Sequence, residues 1–393
     1  MAADLNRINS VVAVLARAST HLTFEGIPSA LAEEAEHAGL YGVHLYLADR
    51  QQRTLNEVIG RGSGLGETGE RLRVDGTVAG LAFAQSKVVR VGEHSRFWVP
   101  ILNGSERLGV LYVHRADPPA DEEPLHRLAA IAGLLVADKR AASDSYARLI
   151  RTRPMSVSAE MQWTLMPPNT IADERITLSA ATEPAYDNAG DSFDYALDGD
   201  SAHLALFDAM GHDNAAGLLA NLTVGAFRNE RRKGTPLAEM PEGVEEILTE
   251  EFVRSRFTTG IMAELEASTG EFRWVNCGHL PPVLLREQAR VFTLECEPTH
   301  PLGMDFGVPV HVCRQQLQPG DRVLMYTDGM IEARDAEGTE FGIDRFVNFI
   351  VRQEADRMPV PETLRRLVQA VLSHHNGRLE DDATVLFCEW HGR

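Results

Sequence analysis

Apolar residues in the first forty positions recur at three- and four-residue spacing. Ile8, Val11, Val12 and Leu15 form one stripe and Ile27, Leu31 and Ala35 a second, so residues 1–40 read as helical. The runs then shorten. Strand-like segments fall at 43–48, 55–59, 88–91, 98–101 and 109–113, with turn signals such as Asn103-Gly104 between them. A long helix is predicted over 124–151, with Leu125, Leu128, Ile131, Leu134 and Leu135 on one stripe. It turns polar past Asp138, and Arg153-Pro154 breaks it. A short helix over 157–165 ends at Pro167-Pro168. The expected organisation is an N-terminal domain over 1–145, a helical linker over 146–168 and a second domain over 169–393.

After residue 170 the pattern changes. Strand-like runs at 176–181, 203–207, 260–265, 272–276, 283–285, 322–326 and 384–388 alternate with helical stretches at 214–232 and 360–372. This second part reads as α+β with a mostly antiparallel sheet. The chain of 393 residues is 44% hydrophobic and 24% charged, which is globular composition. Its net charge of -19 is uneven, with -2 over residues 1–150 and -17 over the remainder. Such an acidic surface is a poor partner for nucleic acid or anionic lipid, and neither is expected. The cysteines at 277, 296, 313 and 388 share no short spacing, which argues against a zinc knuckle, a redox pair or a disulfide framework. The longest apolar stretch, 128–137, is too short to span a membrane, and no signal peptide is recognisable, so a cytoplasmic location is expected. Lysine occurs only at 87, 139 and 233, which leaves almost no candidate for a Schiff-base or P-loop lysine.

The candidate chemistry lies in aspartates where strands of the second part start or stop. Gly190-Asp191 precedes Phe193-Asp194, and the strand 203–207 runs into Asp208, Met210-Gly211-His212 and a helix. The strand 322–326 runs into Thr327-Asp328-Gly329, and Glu380-Asp381-Asp382 opens the last strand. Carboxylates converging in this way repel one another unless a cation lies between them. An all-oxygen donor set favours Mg²⁺ or Mn²⁺ over zinc or copper, and two such ions suit phosphoryl chemistry.

Residues of about 165–390 resemble the SpoIIE/RsbU-type branch of the PP2C-like (PPM) metal-dependent serine/threonine phosphatases. The ordered signatures are Gln162, Leu165 and Pro167; Gly190-Asp191 with Phe193-Asp194; Asp208 with Gly211-His212; and Gly278-His279 with Pro281-Pro282. They continue with Pro301-Leu302-Gly303, Leu317 with Pro319-Gly320-Asp321, Tyr326-Thr327-Asp328-Gly329, Glu332-Ala333-Arg334, Phe341-Gly342 and Asp381-Asp382 with Thr384. The resemblance implies an αββα sandwich that holds two Mn²⁺ or Mg²⁺ ions. It carries the ligand role to Asp191, Asp208, the carbonyl of Ala209, Asp328 and Asp381, with Asp382 as the alternative to Asp381. Asp191, Asp208, Asp328 and Asp381 would then serve catalysis through metal-bound water, and Asp208 would bridge the ions. Asp194 is expected in a supporting role. Three departures stand out: Ala189 where the family has Gly, Ser192 in place of an aromatic, and Asp213 in place of Gly. Asp213 and Asp187 are candidates for altered substrate contacts or a further weak metal.

His279 and His212 are expected to fix loops rather than to catalyse. The basic run Arg228–Lys233 is expected to serve the helix dipole and solvent. Gly64-Leu65-Gly66-Glu67-Thr68-Gly69 matches a dinucleotide-binding spacing, but a strand-like run over 72–74 follows it, not a helix, so that reading is rejected.

Residues of about 8–145 resemble a GAF domain in element order and in Leu108-Gly109-Val110-Leu111-Tyr112-Val113. That resemblance implies sensing, through a small ligand or a protein contact. The region has no cysteine for covalent bilin attachment, and His44 and His94 are candidate haem ligands. The helix over 124–151 is the expected coupling element, pairing in parallel in a homodimer. The phosphatase resemblance implies a phosphorylated STAS-domain anti-anti-sigma factor as substrate, in a partner-switching pathway. The alternative is a catalytically silent sensor–scaffold that binds such a partner without hydrolysis.

Overall fold

Three helices, Ala2–Ala18, Ile27–Glu36 and Glu123–Arg140, cover one face of a six-stranded antiparallel sheet in the computed structural model of the chain. The structure describes residues 2–60, 69–92, 95–115, 121–183, 186–187, 190–211, 213–287, 290–355, 358–375, 379 and 381–392. It divides into two units, residues 1–154 and 155–393.

In the first unit the strand order is Arg71–Arg73, Thr54–Glu57, Leu40–Ala48, Glu106–Arg115, Arg96–Asn103 and Val89–Val91. The apolar stripes of the first two helices, Ile8, Val11 and Leu15 with Ile27, Leu31 and Ala35, are buried against Leu45, Leu47, Val99 and Leu111. The opposite face carries a smaller core, with Tyr46, Leu55 and Val110 under the helix Val78–Gln85. The long helix predicted over 124–151 is interrupted. It ends at Arg140, and Ser143 caps a new helix, Asp144–Leu149, by accepting a hydrogen bond from Tyr146 N at 3.1 Å. Leu125, Leu128, Ile131 and Leu135 are buried in the unit's own core, so most of the stripe expected to pair with a second copy is already covered; Leu134 alone is exposed. After the Gly-rich run, whose residues 64–68 lie outside the described residues, the chain enters the strand Arg71–Arg73, as expected.

The second unit is built from two antiparallel sheets. One has the order Cys313–Gln316, Glu271–Cys277, Thr258–Glu266, Ser201–Ala209 and Asp191–Asp198. The other runs Arg290–Thr293, Val283–Arg286, Arg322–Tyr326, Ala383–Trp390, Ile176–Glu183 and Thr170–Ala172. Alternation along each strand divides its residues between two cores. Leu204 and Leu206 join Phe193, Trp274, Val323, Met325 and Leu386 between the sheets. Ala205 and Phe207 face the helices Asn214–Lys233 and Met240–Phe252. Val385 and Phe387 face the helices Ile343–Ala355 and Val360–His374. The result is helix, sheet, sheet, helix, the α+β architecture expected for this part. Among the described residues no helix is long and apolar enough to cross a membrane.

Two expectations are corrected here. Cys296 and Cys313, 17 positions apart in sequence, form a disulfide with Cα atoms 5.8 Å apart. It ties the loop after Leu294 to the edge strand Cys313–Gln316, which pairs antiparallel with Glu271–Cys277. Cys277 and Cys388 are free and buried. The basic run Arg228–Lys233 is also not simply solvated. Asp194, 1% exposed, receives Arg228 at 2.6 Å and Arg231 at 3.1 Å, while Lys233 pairs with Glu230 at 2.6 Å. Asp194 pairs in register with Ala205, a residue of the core under the helix Asn214–Lys233, so the i and i+3 arginines of that helix reach it.

Replacing Asp194 by Ala leaves two guanidinium groups without their buried counter-charge. The expected cost is about 3–5 kcal/mol, read as a lower urea midpoint for the second unit's unfolding transition. An unchanged midpoint would show that the arginines are served by solvent.

Candidate active site

Asp191 and Asp208 face each other directly across adjacent antiparallel strands, at the same end of the five-stranded sheet. Asp328 follows the strand Arg322–Tyr326 of the other sheet, and Asp382 immediately precedes the strand Ala383–Trp390. Those two strands are neighbours, and Thr327 N donates to the carbonyl of Thr384 at 3.0 Å just beyond the last ladder pair.

Bonds between the sheets bring these ends together. Thr327 Oγ1 donates to Asp191 Oδ2 at 2.6 Å and accepts from Thr384 N at 2.9 Å. Asp382 Oδ2 accepts from the backbone N–H groups of Gly190 and Asp191. Gln162 Nε2, from the helix Val157–Leu165, donates to the carbonyl of Asp191. Two glycines permit the close approach. A Cβ on Gly190 would lie 2.3 Å from the carbonyl oxygen of Ala209 and 2.8 Å from that of Gly211. One on Gly329 would lie 1.9 Å from the carbonyl oxygen of Asp382.

Burial and mutual repulsion act on these acids together. Burial, then the charges of Asp208 and Asp382, hold the Asp191 carboxyl well above the usual carboxylate range. Asp208 is pushed up to about 7 by burial, then by Asp328 and Asp381. Asp382 is also pushed up to about 7, chiefly by burial and further by Asp381 and Asp208, against the lowering hydrogen bonds from Gly190 and Asp191. Asp328 is raised by burial and by Asp381. Asp208 thus acts on Asp191 and Asp382 and is acted on by Asp328 and Asp381, while Asp381 also acts directly on Asp382. Asp381 is exposed, and its Oδ1 accepts from the N–H of Asp382 at 2.9 Å.

The sequence-derived candidates are therefore gathered at one end of the two sheets. Among the described residues, no three His, Cys, Asp or Glu side chains stand close enough to enclose an ion. The donor chemistry nevertheless fits a hard divalent cation: oxygen atoms only, with raised carboxyl pKa values and no basic group among the charges acting on Asp191, Asp208, Asp328 or Asp382. His279 is part-buried, and burial pulls its pKa down to about 4. Its ring bonds Thr259 Oγ1 at 2.9 Å and the Tyr326 carbonyl at 3.2 Å, and its backbone N–H donates to Asn276 Oδ1 at 2.7 Å. It fixes the loop, as expected. Ala189, His212, Glu380 and, in the first unit, His94 lie outside the described residues.

Asp213 does not turn toward the acids. It caps the helix Asn214–Lys233, accepting from Ala216 N at 2.8 Å, and forms a two-pronged pair with Arg256 at 3.2 and 2.9 Å. The sequence reading missed Thr327 as the support of Asp191, although Thr327 stands inside a quoted signature. It also missed Arg256, which belongs to no motif at all.

Residues 198–391 match the family model described as Stage II sporulation protein E (SpoIIE). The chain is 20% identical to the phosphoserine phosphatase RsbU of Bacillus subtilis over 240 residues, 59% of this chain and 68% of that protein. It is 24% identical to protein IcfG of Synechocystis over 142 residues, 36% of this chain and 22% of that protein. A crystal structure of the RsbU and RsbW domains of Rv1364c from Mycobacterium tuberculosis superposes with a TM-score of 0.47 at 26% identity, over 55% of this chain and 60% of that one. The second unit is a SpoIIE-type PP2C domain, homologous to RsbU.

A cation entering this site must displace protons that Asp208 and Asp382 hold up to about pH 7. The melting-temperature rise produced by a fixed excess of Mn²⁺ should therefore grow as pH rises from 6 to 8. Asp208→Asn should remove most of that rise. Differential scanning fluorimetry with and without EDTA reads both; an Mn²⁺ shift that is independent of pH and survives the substitution would place the ion elsewhere.

Proposed function

We propose that the second unit is a divalent-metal-dependent protein serine/threonine phosphatase. The observation that carries this reading is the meeting of Asp191, Asp208, Asp328, Asp381 and Asp382 at one end of two packed sheets, with Asp208 raising Asp191 and Asp382 and itself raised by Asp328 and Asp381. Two Mn²⁺ or Mg²⁺ ions, when bound, would supply Lewis-acid stabilisation of phosphoryl charge and the nucleophile for its transfer to water. Asp191, Asp208, the carbonyl of Ala209, Asp328 and Asp381 would hold them.

The roles of the chain's own groups follow from their present bonds. Asp208, which acts on Asp191 and Asp382 and is acted on by Asp328 and Asp381, would be the bridging ligand. Thr327 engages one oxygen of Asp191 and so fixes which oxygen faces the site. Asp382 holds the 190–191 backbone, which suits a supporting part and leaves the ligand role to Asp381. Outer-sphere partners of this kind commonly tune metal affinity by ten- to a hundred-fold.

The substrate is a phosphoserine or phosphothreonine protein. The similarity to RsbU, whose name is phosphoserine phosphatase, supports a partner-switching pathway and, more narrowly, a phosphorylated STAS-domain anti-anti-sigma factor. The first unit acts as a GAF-like sensor that binds a small ligand or a protein and biases the phosphatase, within a cytoplasmic homodimer. Its sheet order, with three helices on one face and one on the other, supports that reading. A pairing of copies would draw on surfaces other than the buried positions of the helix Glu123–Arg140.

Release of p-nitrophenol from its phosphate with Mn²⁺ tests the chemistry. Wild type should turn over and lose activity in EDTA, and Asp328→Asn should fall to background. Equal rates for wild type and Asp328→Asn would remove the proposed site. A wild type that binds a STAS-type partner without turnover would favour the silent scaffold.

A further inference from the structure

The geometry points to Arg256 as the residue that takes the phosphoryl group of the incoming phosphoprotein, and to Asp213 as the side chain that holds it in place until the phosphoryl group arrives. The inference rests on the phosphatase reading above and adds a substrate-binding residue to it.

Register fixes where Arg256 stands. Asp208 pairs with Thr259 and Ala209 with Thr258 in the ladder, and Met210 N continues it by donating to the Phe257 carbonyl at 3.0 Å. Arg256 therefore lies just outside the strand Thr258–Glu266, at the end of the sheet where Asp191 and Asp208 meet. Its guanidinium turns back over the loop that follows Asp208. Nη1 donates to the Met210 carbonyl at 3.3 Å, and a Cβ on Gly211 would lie 3.6 Å from it. A cation is thus placed over the loop that follows Asp208, although it is not among the charges that act on Asp208 itself.

The existing partner of Arg256 is an exchangeable one. The Asp213 side chain is 59% exposed and that of Arg256 24%, so solvent already competes for the pair. Asp213 also has a second anchor, since its Oδ1 accepts from Ala216 N and caps the helix. Releasing Arg256 does not leave the carboxylate unbonded. A phosphate monoester presents the same two-oxygen geometry as Asp213 with greater charge, and a guanidinium fork suits it. Asp213 and the phosphoryl group compete for one fork. The aspartate that departs from the family's glycine at this position acquires a function: it lowers affinity for phosphate while keeping the arginine oriented.

The test compares wild type, Arg256→Ala, Arg256→Lys and Asp213→Asn as full chains with saturating Mn²⁺. A phosphoserine peptide serves as substrate, and inorganic phosphate is titrated by calorimetry and as an inhibitor. Arg256→Ala should raise KM and the phosphate dissociation constant about tenfold each, with a smaller change in kcat. Arg256→Lys should recover part of this loss, because it keeps charge but not the fork. Asp213→Asn keeps a capping side chain but removes the competing charge, so KM and the phosphate constant should fall about two- to fivefold. Melting temperatures identify any variant that fails to fold. If Arg256→Ala folds and both constants stay within about twofold of wild type, the assignment is wrong. If wild type shows no turnover, the phosphatase reading fails by itself; phosphate calorimetry then decides the role of Arg256 independently.

Discussion

Mutual repulsion among carboxylates is the constraint on which the second unit depends. Two like charges about 4 Å apart cost on the order of 4 kcal/mol at the effective dielectric of a protein surface, and burial adds to that. The fold accepts this by fixing the backbone around the acids. The N–H groups of Gly190 and Asp191 point at Asp382, the Thr327 hydroxyl points at Asp191, and Gln162 holds the carbonyl of Asp191. Each bond restrains an acid that would otherwise swing into water. Raised pKa values are the other face of the same arrangement: burial and mutual repulsion hold protons on Asp208 and Asp382 up to about pH 7.

The position of this cluster follows from layer geometry. Two sheets packed face to face place their strand ends together, and adjacent antiparallel strands put Asp191 opposite Asp208 in register. The inward residues Leu204, Leu206, Met325 and Leu386 fix the separation of the sheets, while Phe207 and Val385 anchor the outer helices. A slip of one residue in the strand Ser201–Ala209 would exchange its two apolar faces and carry Asp208 away from Asp191. Core packing and site geometry are thus set by the same alternation.

Much of this was legible in the sequence, because each acid stands at the end of an alternating apolar run and the ends of strands are where such patterns stop. The signature residues Gln162, Gly190 and Thr327 each have a physical reason to be present, and all three serve the backbone or the side chain of Asp191. What was not legible depended on contacts between elements. The disulfide of Cys296 and Cys313 involves the edge strand Cys313–Gln316, which returns beside Glu271–Cys277, and no cysteine spacing announces it. Arg228 and Arg231 read as a solvated basic run because their partner, Asp194, is 34 and 37 positions away. The break after Arg140 was hidden because Ala141 and Ala142 continue a helical composition, and only the capping side chain of Ser143 restarts the chain as a new helix.

The same distinction separates the two parts that the sequence leaves open for Asp213, altered substrate contacts or a further weak metal. From sequence it is one more acid near Asp208. In the fold it occupies the N-cap of the helix Asn214–Lys233, where the side chain must bend toward the first-turn N–H groups. That geometry commits Oδ1 to the helix and turns both oxygens toward the Arg256 fork. The hydrogen bond from Ala216, then the bonds from Arg256, hold its carboxyl below the usual range, the opposite of what acts on Asp191 and Asp208. Two aspartates five positions apart are thus placed in opposite electrostatic environments by a single turn of backbone. An acid already satisfied by an N–H group and a guanidinium has little reason to join a metal site; an acid pressed against other acids has every reason to.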